Sequence, residues 1–349
     1  MRILLTGGGT GGHIIPNLAV IKELKKRDKN IEVFYVGGKN SIEEKMVKDA
    51  GVKFYPIYCG KLRRYFSFQN FLDFFKVLAG IFQSFFIIGK ISPDIVFSKG
   101  GFVSLPVVVG AYLRGVPSYI HESDLSPGLA NRISVRMCKK VFLSFEESRN
   151  YLRKFKGEII VSGSPVRDEI LNGNRERALK SLKLEEKKPV IFVIGGSTGA
   201  KQINDLIFES ADEILKTFNI IHQCGSGKML EIKNKGYRAF GFIKEEYFDF
   251  IALADLVVTR AGANALFELA IAKKKALVIP MESGRGDQAE NAKLFSKKIG
   301  WKVLRGNISV KDFVNSIKIV SENKNLTFKD FENGTTIIAD KLLKNENSH

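Results

Sequence analysis

Short runs of apolar residues alternate with helical patterns along almost the whole chain. A first series of predicted strands comprises Ile3–Thr6, Glu32–Val36, Phe54–Ile57, Ile95–Phe97, Ser118–His121 and Val141–Leu143. A second series comprises Val190–Ile194, Ile220–Gln223, Ala239–Phe242, Leu256–Thr259, Ala276–Ile279 and Lys302–Leu304. Most of these runs are almost continuously apolar, as is typical of strands buried on both faces of a parallel sheet. Their alternation with helical stretches such as Ile14–Lys26 predicts a doubly wound α/β fold.

The two series begin in the same way. Ile3–Thr6 leads into Gly7-Gly8-Gly9-Thr10-Gly11-Gly12, and Ile191–Ile194 leads into Gly195-Gly196-Ser197-Thr198-Gly199. Each is a strand, a glycine-rich turn and then a helix, so the chain is expected to form two Rossmann-like halves. We place the boundary at Gly163-Ser164-Pro165, which separates residues 1–162 from residues 163–329. A ligand is expected in a cleft between two such halves.

Composition and charge narrow the class of protein. The 349 residues are 44% hydrophobic and 26% charged, which excludes a disordered chain and a disulfide-rich miniprotein. The net charge of +18 calls for an anionic partner, which could be nucleic acid, an acidic membrane or a phosphorylated substrate. Three widely spaced cysteines predict reduced thiols in a cytoplasmic protein, and the four histidines lack the spacing of metal ligands.

The glycine loops suggest an anion site without identifying the ligand. Gly7, Gly9 and Gly12 satisfy the GxGxxG pattern of NAD sites, but the second strand ends in Val36-Gly37-Gly38, without the acidic residue that binds the ribose. Neither loop is followed by Gly-Lys-Ser or Gly-Lys-Thr, which excludes a P-loop nucleotidase. What remains is a set of backbone N–H groups at a helix N-terminus, facing an anion or a developing negative charge.

Three further features bear on chemistry. His13 follows the first glycine loop and is a candidate general base, although a lone histidine is often structural. His121-Glu122 ends another strand at the same edge, where one of the pair is expected to orient the loop. The chain contains no Asp-x-Asp sequence, the usual metal-binding pair of nucleotide-sugar enzymes. A sugar-nucleotide diphosphate would therefore be stabilised by helix dipoles, backbone amides and a cation such as Arg167.

Six motifs, in register from about residue 6 to about residue 292, resemble those of the MurG family of glycosyltransferases. They are Gly8–His13, Lys99–Pro106, His121–Arg132, Gly195–Ala200, Arg260–Glu268 and Gln288–Asn291. The resemblance implies a GT-B fold with two domains facing a cleft. Residues 1–162 would form the acceptor and membrane-associating domain, and residues 163–329 the UDP-GlcNAc domain. A last helix, about residues 330–349, would pack back on the first domain.

The resemblance also implies the reaction and its residues. GlcNAc would pass from UDP-GlcNAc to the C4 hydroxyl of undecaprenyl-linked lipid I, giving lipid II with inversion and without metal or cofactor. His13 would accept the proton, with Glu122 supporting. The implied donor-binding residues are Thr10, Gly11, Gly12, Asp124, Arg167, Ser197, Ile243, Ala263, Asn264, Ala265, Leu266, Phe267, Glu268 and Gln288.

Most of these donor residues have an expected contact, and Asp124 would contact the donor sugar. Ser197 and Arg167 would contact the diphosphate, and the Ile243 backbone would contact uracil. The helix that begins at Ala263 would face the phosphates, with Glu268 on the ribose, while Gln288 would bind the sugar and Thr10-Gly11-Gly12 would close the cleft.

Two positions depart from the family pattern. Ser123-Asp124 stands where the family commonly has Gln-Asn, and an ionised aspartate accepts hydrogen bonds but cannot donate them. Thr198 replaces a glutamine in the second glycine loop, so one side-chain contact to the donor is expected to be lost.

The segment from Lys61 to Lys90 combines phenylalanines with basic residues. Its apolar stretch Val77–Gly89 is shorter than the roughly 20 residues of a membrane span. We therefore predict a helix lying in an anionic membrane interface, although some of the rings are expected to pack on the sheet. The residues assigned to membrane or acceptor contact are Arg63, Arg64, Phe71, Phe75, Phe82 and Phe85.

The leading hypothesis is lipid I glycosyl transfer by a peripheral protein on the cytoplasmic face of the cell membrane. The expected partners are UDP-GlcNAc, lipid I and an anionic membrane surface, with cell-wall synthesis proteins as further candidates and without nucleic acid. Alternatives are another GT-B lipid glycosyltransferase, such as a diacylglycerol glycosyltransferase, and a non-catalytic basic protein that binds membrane or nucleic acid. A nicotinamide-dependent oxidoreductase is a fourth hypothesis.

Overall fold

The structure is a computed structural model that describes residues 1–9, 11–60, 68–184, 187–196, 198–229, 231–282, 286–329 and 331–344. The chain divides into two compact units. The N-terminal unit consists of Met1–Arg167 together with the segment that begins at Glu332. The C-terminal unit is Asp168–Phe331. The chain therefore leaves the N-terminal unit once and returns to it near its end.

The N-terminal unit is built on one parallel sheet. Its strands in the described residues are β1 (Arg2–Thr6), β2 (Glu32–Gly38), β3 (Lys53–Ile57), β4 (Ile95–Ser98), β5 (Ser118–Glu122), β6 (Lys140–Leu143) and β7 (Glu158–Val161), in the order β3-β2-β1-β4-β5-β6-β7. Its helices are α1 (Gly11–Arg27), α2 (Ile42–Asp49), α3 (Phe68–Ile91), α4 (Ser104–Leu113) and α5 (Leu129–Ser134). Short 3₁₀ turns occupy Val135–Met137 and Glu146–Leu152.

The C-terminal unit repeats this plan. Its described strands are β8 (Val190–Ile194), β9 (Asn219–Gln223), β10 (Tyr237–Phe240), β11 (Leu256–Thr259), β12 (Lys275–Val278) and β13 (Lys302–Val303), in the order β10-β9-β8-β11-β12-β13. Its helices are α6 (Arg175–Leu182), α7 (Lys201–Ile214), α8 (Tyr247–Leu253), α9 (Ala263–Ile271), α10 (Asp287–Ile299) and α11 (Val310–Glu322). A 3₁₀ turn occupies Asp168–Leu171.

The predicted doubly wound fold is confirmed, and each predicted strand is present, some with ends shifted by a residue or two. In each sheet the strand order reverses beside its first strand, between β1 and β4 and between β8 and β11. Such a switch point opens a crevice at the carboxyl ends of the strands, where α/β proteins bind ligands. The prediction omitted β7, an edge strand whose residues are exposed or only half-buried, so its hydrophobic signal is weak.

The last helix, α12 (Gly334–Leu343), belongs to the core of the N-terminal unit. Ile338, Ala339 and Leu342 are fully buried in the same cluster as Val20 and Leu24 of α1. Backbone bonds fasten the beginning of this segment, since the Gly334 N–H donates to the Ser164 carbonyl at 3.0 Å. The final helix is therefore part of the folded N-terminal unit and contributes to its stability.

Helix α3 is longer than the apolar stretch predicted for it. By length and composition alone, Phe71–Ile91 could cross a membrane. The shortness of Val77–Gly89 is therefore no reason to exclude a membrane span. The helix packs against α4, and Val77, Ser84 and Ile88 on that side are buried. Its opposite side is largely exposed, as described below.

A buried histidine lies in the core of the C-terminal unit. His222 Nε2 donates to Asn204 Oδ1 at 3.1 Å, and the Tyr237 hydroxyl donates to His222 Nδ1 at 3.0 Å. The Asn204 side-chain NH₂ group donates to the Cys224 carbonyl, so the Asn204 side-chain oxygen faces His222 as an acceptor. Burial lowers the pKa of His222 from 6.5 to about 4, so the ring is neutral in the native state.

This histidine makes the C-terminal unit sensitive to acid. Between pH 6.5 and pH 4 the unfolded chain binds a proton that the native ring does not, so the free energy of unfolding falls as the pH falls. We expect a loss of up to about 3 kcal/mol from this group. Urea unfolding followed by the fluorescence of Trp301, the one tryptophan of the chain, reports on this unit.

The H222Q variant should show a shallower loss of stability between pH 7 and pH 4 than the unchanged protein. All other titrating groups are common to the two proteins and cancel in the comparison. Equal slopes would mean that the ring has the same pKa in the native and the unfolded states.

Candidate active site

Two glycine-rich segments of the N-terminal unit touch at the switch point of its sheet. One is the first glycine loop, which follows β1, and the other is Gly100-Gly101, which follows β4. Gly101 follows β4 and has φ +86°, and a Cβ there would lie 2.3 Å from the Gly8 carbonyl oxygen. Only glycine permits both this conformation and this approach. The same Cβ would lie 3.1 Å from His13 Cδ2, so the His13 ring rests against the Gly101 backbone.

The His13 ring is held in one tautomer by the neighbouring strand end. Its Nδ1 lies 3.1 Å from the backbone carbonyl oxygen of Lys99. Because a carbonyl can only accept, the proton of the neutral ring is on Nδ1, and Nε2 is the basic nitrogen. The ring is half-buried in the first turn of α1. This arrangement suits a general base.

Two buried polar residues that the sequence analysis did not single out hold the first glycine loop. The Tyr35 hydroxyl donates to the Gly7 carbonyl at 2.5 Å. The Asn17 amide donates to the Thr6 carbonyl at 3.0 Å and lies 3.1 Å from the Tyr35 hydroxyl. A polar residue among the apolar positions of the predicted helix Ile14–Lys26 was the available signal for the role of Asn17.

Lys99 is a buried cation behind the glycine loops. It is 1% exposed, and its ammonium group donates to the Ser123 hydroxyl. Burial lowers the pKa of Lys99 to about 8, while the carboxylates of Glu122 and Asp124 act in the opposite direction. The lysine therefore carries a positive charge near neutral pH, and its backbone carbonyl fixes His13.

His121 is fully buried at the end of β5. Its Nε2 donates to the Gly163 carbonyl at 3.0 Å, and its Nδ1 has no hydrogen-bond partner within the described residues. Burial and the charge of Lys99 lower the pKa of His121 well below its usual value. The ring is therefore neutral and joins β5 to the segment that follows β7.

Glu122 organises the loop that follows β5. Its Oε1 accepts the Asp124 N–H at 3.0 Å, and its Oε2 accepts the Gly128 N–H at 3.0 Å and the Asn131 amide at 2.8 Å. Burial, followed by the charge of Asp124, raises the pKa of Glu122. The loop that carries Asp124 is thus built around one buried carboxyl group.

In the C-terminal unit, Gln223 connects the glycine loop to the predicted uracil-binding position. Its amide group donates to the Gly196 carbonyl at 3.1 Å, and its Oε1 accepts the Ile243 N–H at 3.0 Å. Because the Ile243 N–H already donates to Gln223, a contact between the Ile243 backbone and a base would use the Ile243 carbonyl group. Gln223 is not among the site residues predicted from the sequence, although a polar residue at the end of an apolar strand was a signal.

Helix α9 begins at Ala263 after Gly262, which has no side chain to cap it. Its first-turn N–H groups therefore suit an anion. One turn further on, Glu268 is buried and accepts the Tyr247 hydroxyl at 3.0 Å. Leu266 and Phe267 are buried in the core, with the Phe267 ring 5.4 Å from that of Phe295. Any contact of these two with a donor would involve their backbone.

A cavity of about 360 Å³ lies at the beginning of α7 in the same unit. It is lined by Gly199, Arg260 and Met281, among others. The Arg260 guanidinium donates to the Met281 sulfur, and burial lowers the pKa of Arg260. Gln288 Oε1 accepts the Met281 N–H at 3.0 Å, so Gln288 shapes the same loop.

The predicted site residues therefore divide between the two units. His13, Gly11, Gly12, Glu122, Asp124 and Arg167 belong to the N-terminal unit, and Ile243, Gln288 and the residues of α9 belong to the C-terminal unit. Thr10 and Ser197, as well as Arg63 and Arg64, lie outside the described residues. Among the residues described, no group of three or more His, Cys, Asp or Glu side chains could hold a metal ion.

Two doubly wound units, each with a glycine loop at its switch point, form a GT-B fold. Residues 3–143 match the N-terminal domain of glycosyltransferase family 28, and residues 190–338 match its C-terminal domain. The chain belongs to glycosyltransferase family 28, and the resemblance to the MurG family is confirmed.

Curated relatives match along nearly the whole chain. A protein of Clostridium tetani is 44% identical over 98% of both chains, and one of Clostridium botulinum is 42% identical over 98% of this chain and 99% of that one. Both are named UDP-N-acetylglucosamine–N-acetylmuramyl-(pentapeptide) pyrophosphoryl-undecaprenol N-acetylglucosamine transferase.

Solved structures share the fold. MurG of Acinetobacter baumannii superposes with a TM-score of 0.75 at 23% identity, over 99% of both chains. A UDP-GlcNAc 2-epimerase of Neisseria meningitidis, solved with UDP-GlcNAc, has a TM-score of 0.68 at 15% identity, over 99% of this chain and all of that one. At these identities the similarity extends to the fold alone.

The hydrogen bonds to Glu122 predict the behaviour of an E122Q variant. A glutamine offers one acceptor oxygen where the carboxyl group now offers two, so at least one N–H donor loses its partner, at a cost of about 1–3 kcal/mol. Amide hydrogen exchange in the segment 123–131 should accelerate about tenfold or more.

The E146Q variant is the matched control, since Glu146 is an exposed glutamate paired with Arg149. Its exchange in the same segment should remain unchanged. If E122Q exchanges as slowly as the unchanged protein, the loop does not depend on this carboxyl group.

Proposed function

We propose that this protein transfers GlcNAc from UDP-GlcNAc to the C4 hydroxyl of the muramyl sugar of lipid I, giving lipid II. The names of relatives at 42–44% identity over nearly the whole chain support this donor and this acceptor. The observation that carries the proposal in the structure is His13, whose Nδ1 is tied to the Lys99 carbonyl and whose Nε2 is therefore basic.

The reaction would be a single displacement. His13 Nε2 accepts the proton of the C4 hydroxyl while that oxygen forms a bond to the anomeric carbon of GlcNAc. The bond from this carbon to the UDP oxygen breaks at the same time, and UDP leaves with the electron pair. Attack opposite the leaving group inverts the configuration at the anomeric carbon. Glu122 supports the base indirectly, because it orders the loop of Asp124 beside Lys99.

The C-terminal unit would hold the donor. The first-turn N–H groups of α9 would bind the diphosphate, as helix N-termini do, so that the charge of the leaving group is stabilised without a metal ion. Glu268 would accept from the ribose hydroxyls, and the Ile243 carbonyl would contact uracil. Arg167, Ser197 and Gln288 keep their expected roles at the diphosphate and the sugar.

Loss of the base predicts the kinetics of the H13A variant. General bases contribute about 10²- to 10⁴-fold, so kcat should fall by that factor while KM for UDP-GlcNAc changes little. The measurement is transfer of labelled GlcNAc to a lipid I analogue, with and without EDTA, and the chelator should not change the rate.

H222Q serves as the control for H13A, because His222 is a histidine of the C-terminal core outside the proposed machinery. Its kcat at pH 7.5 should match that of the unchanged protein. A decrease of less than about threefold in H13A would show that another group accepts the proton.

The exposed side of α3 supports a peripheral location at the membrane. Phe71, Phe75, Leu78, Phe82 and Phe86 follow one another at intervals of three or four residues, which places them on one face of the helix. They are 46–66% exposed. A continuous apolar stripe of this size on a protein surface marks an interaction site, and a lipid surface fits the membrane-bound acceptor.

The structure distinguishes the phenylalanines of this helix. Phe71, Phe75 and Phe82, predicted for membrane contact, are exposed, whereas Phe85 is half-buried with the Arg114 guanidinium 3.7 Å above its ring. Phe86 was not assigned and is exposed. Arg114 and Lys90 place positive charge beside the stripe, which favours an anionic leaflet.

Replacing Phe71 and Phe82 with serine tests this surface. Both side chains are more than half exposed, so the fold should tolerate the change, whereas the stripe loses two large apolar groups. Binding to vesicles that contain anionic phospholipid, measured by sedimentation, should weaken at least tenfold.

F208S is the matched control, because Phe208 is an equally exposed phenylalanine on α7 of the C-terminal unit. It should leave vesicle binding unchanged. Equal binding by the double variant and the unchanged protein would place the membrane contact elsewhere.

A further inference from the structure

A second cavity lies within the N-terminal unit, with Gly9 of the first glycine loop in its wall. It measures about 560 Å³, within the roughly 300–1,000 Å³ of typical ligand pockets. Its walls include the loop from Gly38 to Glu43, Tyr58 just after β3, and Asp73 and Lys76 of α3. We call it the Glu43 cavity.

One end of the Glu43 cavity is formed by the loops that position His13. Gly9 and Phe102 both line the cavity, and a Cβ on Gly9 would lie 2.3 Å from the Phe102 ring. The residue before Phe102 is Gly101, against which the His13 ring rests. The cavity therefore begins beside the proposed base and extends to α3, the helix that carries the phenylalanine stripe.

The walls of the cavity are polar and carry both signs of charge. Glu43 is 1% exposed, and its Oε2 has no hydrogen-bond partner among the described residues, while its Oε1 is 3.4 Å from the Gly38 N–H. A buried carboxylate oxygen without a donor is costly unless a ligand supplies one. Exposed Lys39, whose ammonium lies 5.9 Å from the Tyr58 ring centre, provides a cation at the same cavity.

The charged groups in the cavity wall favour one part of a lipid-linked muramyl peptide as the ligand over the others. An isoprenoid chain offers no donor to Glu43 and would cover the charges of the wall. A diphosphate would be repelled by Glu43 and by Asp73, which already neutralises Lys76 at 3.2 Å. A peptide offers amide N–H donors for a carboxylate and a terminal carboxylate for a lysine.

The geometry points to the Glu43 cavity as the subsite for the peptide arm of the acceptor. This inference rests on the proposed function. A muramyl sugar carries its peptide through the oxygen on C3, the carbon next to the one whose hydroxyl attacks. When the C4 hydroxyl faces His13, the peptide leaves the sugar beside the base, where the cavity begins. Glu43 then accepts an amide N–H of the peptide, and Lys39 binds a peptide carboxylate.

The test compares two acceptors, a lipid I analogue with its pentapeptide and the same analogue without the peptide. E43Q preserves the size of the side chain but removes one acceptor oxygen, and K39A removes an exposed cation. Each variant should raise KM for the peptide-bearing acceptor about tenfold, with KM for UDP-GlcNAc unchanged. With the peptide-free acceptor, both variants should match the unchanged protein.

E32Q is the control, since Glu32 is an exposed glutamate at the opposite end of β2, paired with Arg2. It should change neither KM. If E43Q and K39A affect both acceptors equally, or affect neither, the cavity does not bind the peptide. If the unchanged protein transfers GlcNAc to neither acceptor, the proposed function fails and this inference fails with it. K39A keeps the test decisive if E43Q unfolds, which circular dichroism would reveal.

Discussion

The contact between the Gly8 carbonyl and Gly101 is the constraint on which the N-terminal site depends. It requires a residue without a side chain at position 101, beyond the end of β4, and it brings the backbone of that segment against the ring of His13. The same strand end offers the Lys99 carbonyl that selects the tautomer of that ring. Backbone geometry, set by a buried sheet, thus determines which nitrogen of a half-buried side chain is basic.

Behind this contact lies a set of buried ionisable groups, each with a distinct structural role. Lys99, Glu122 and His121 are at least 94% buried, and each is held by hydrogen bonds to a loop that follows a strand. None of them needs to touch a substrate to matter, because they keep the loops of the strand ends in one arrangement. In the C-terminal unit the uncharged side chain of Gln223 likewise holds the glycine loop and the segment of Ile243 in one arrangement.

The fold was predictable because its strongest signal is local. Ile191–Val193 are fully buried, and such a run is continuous in the sequence. The glycine loops and the position of His13 followed from the same pattern. The contacts that specify the site join residues far apart in the chain, such as Gln223 with Ile243 or Tyr35 with Gly7, and no spacing rule reports them. Likewise, Arg114 rather than the helical period decides that Phe85 is covered and Phe86 is not.

The return of the chain to its first unit also determines the order in which the protein can be assembled during synthesis. The core of the N-terminal unit contains Ile338 and Leu342, which leave the ribosome after the whole of the C-terminal unit. The half that is synthesised first therefore cannot complete its core until α12 has been made, whereas the described strands of the second half are all made before α12. A chain that stops shortly before α12 would retain a complete C-terminal unit beside an unfinished N-terminal one.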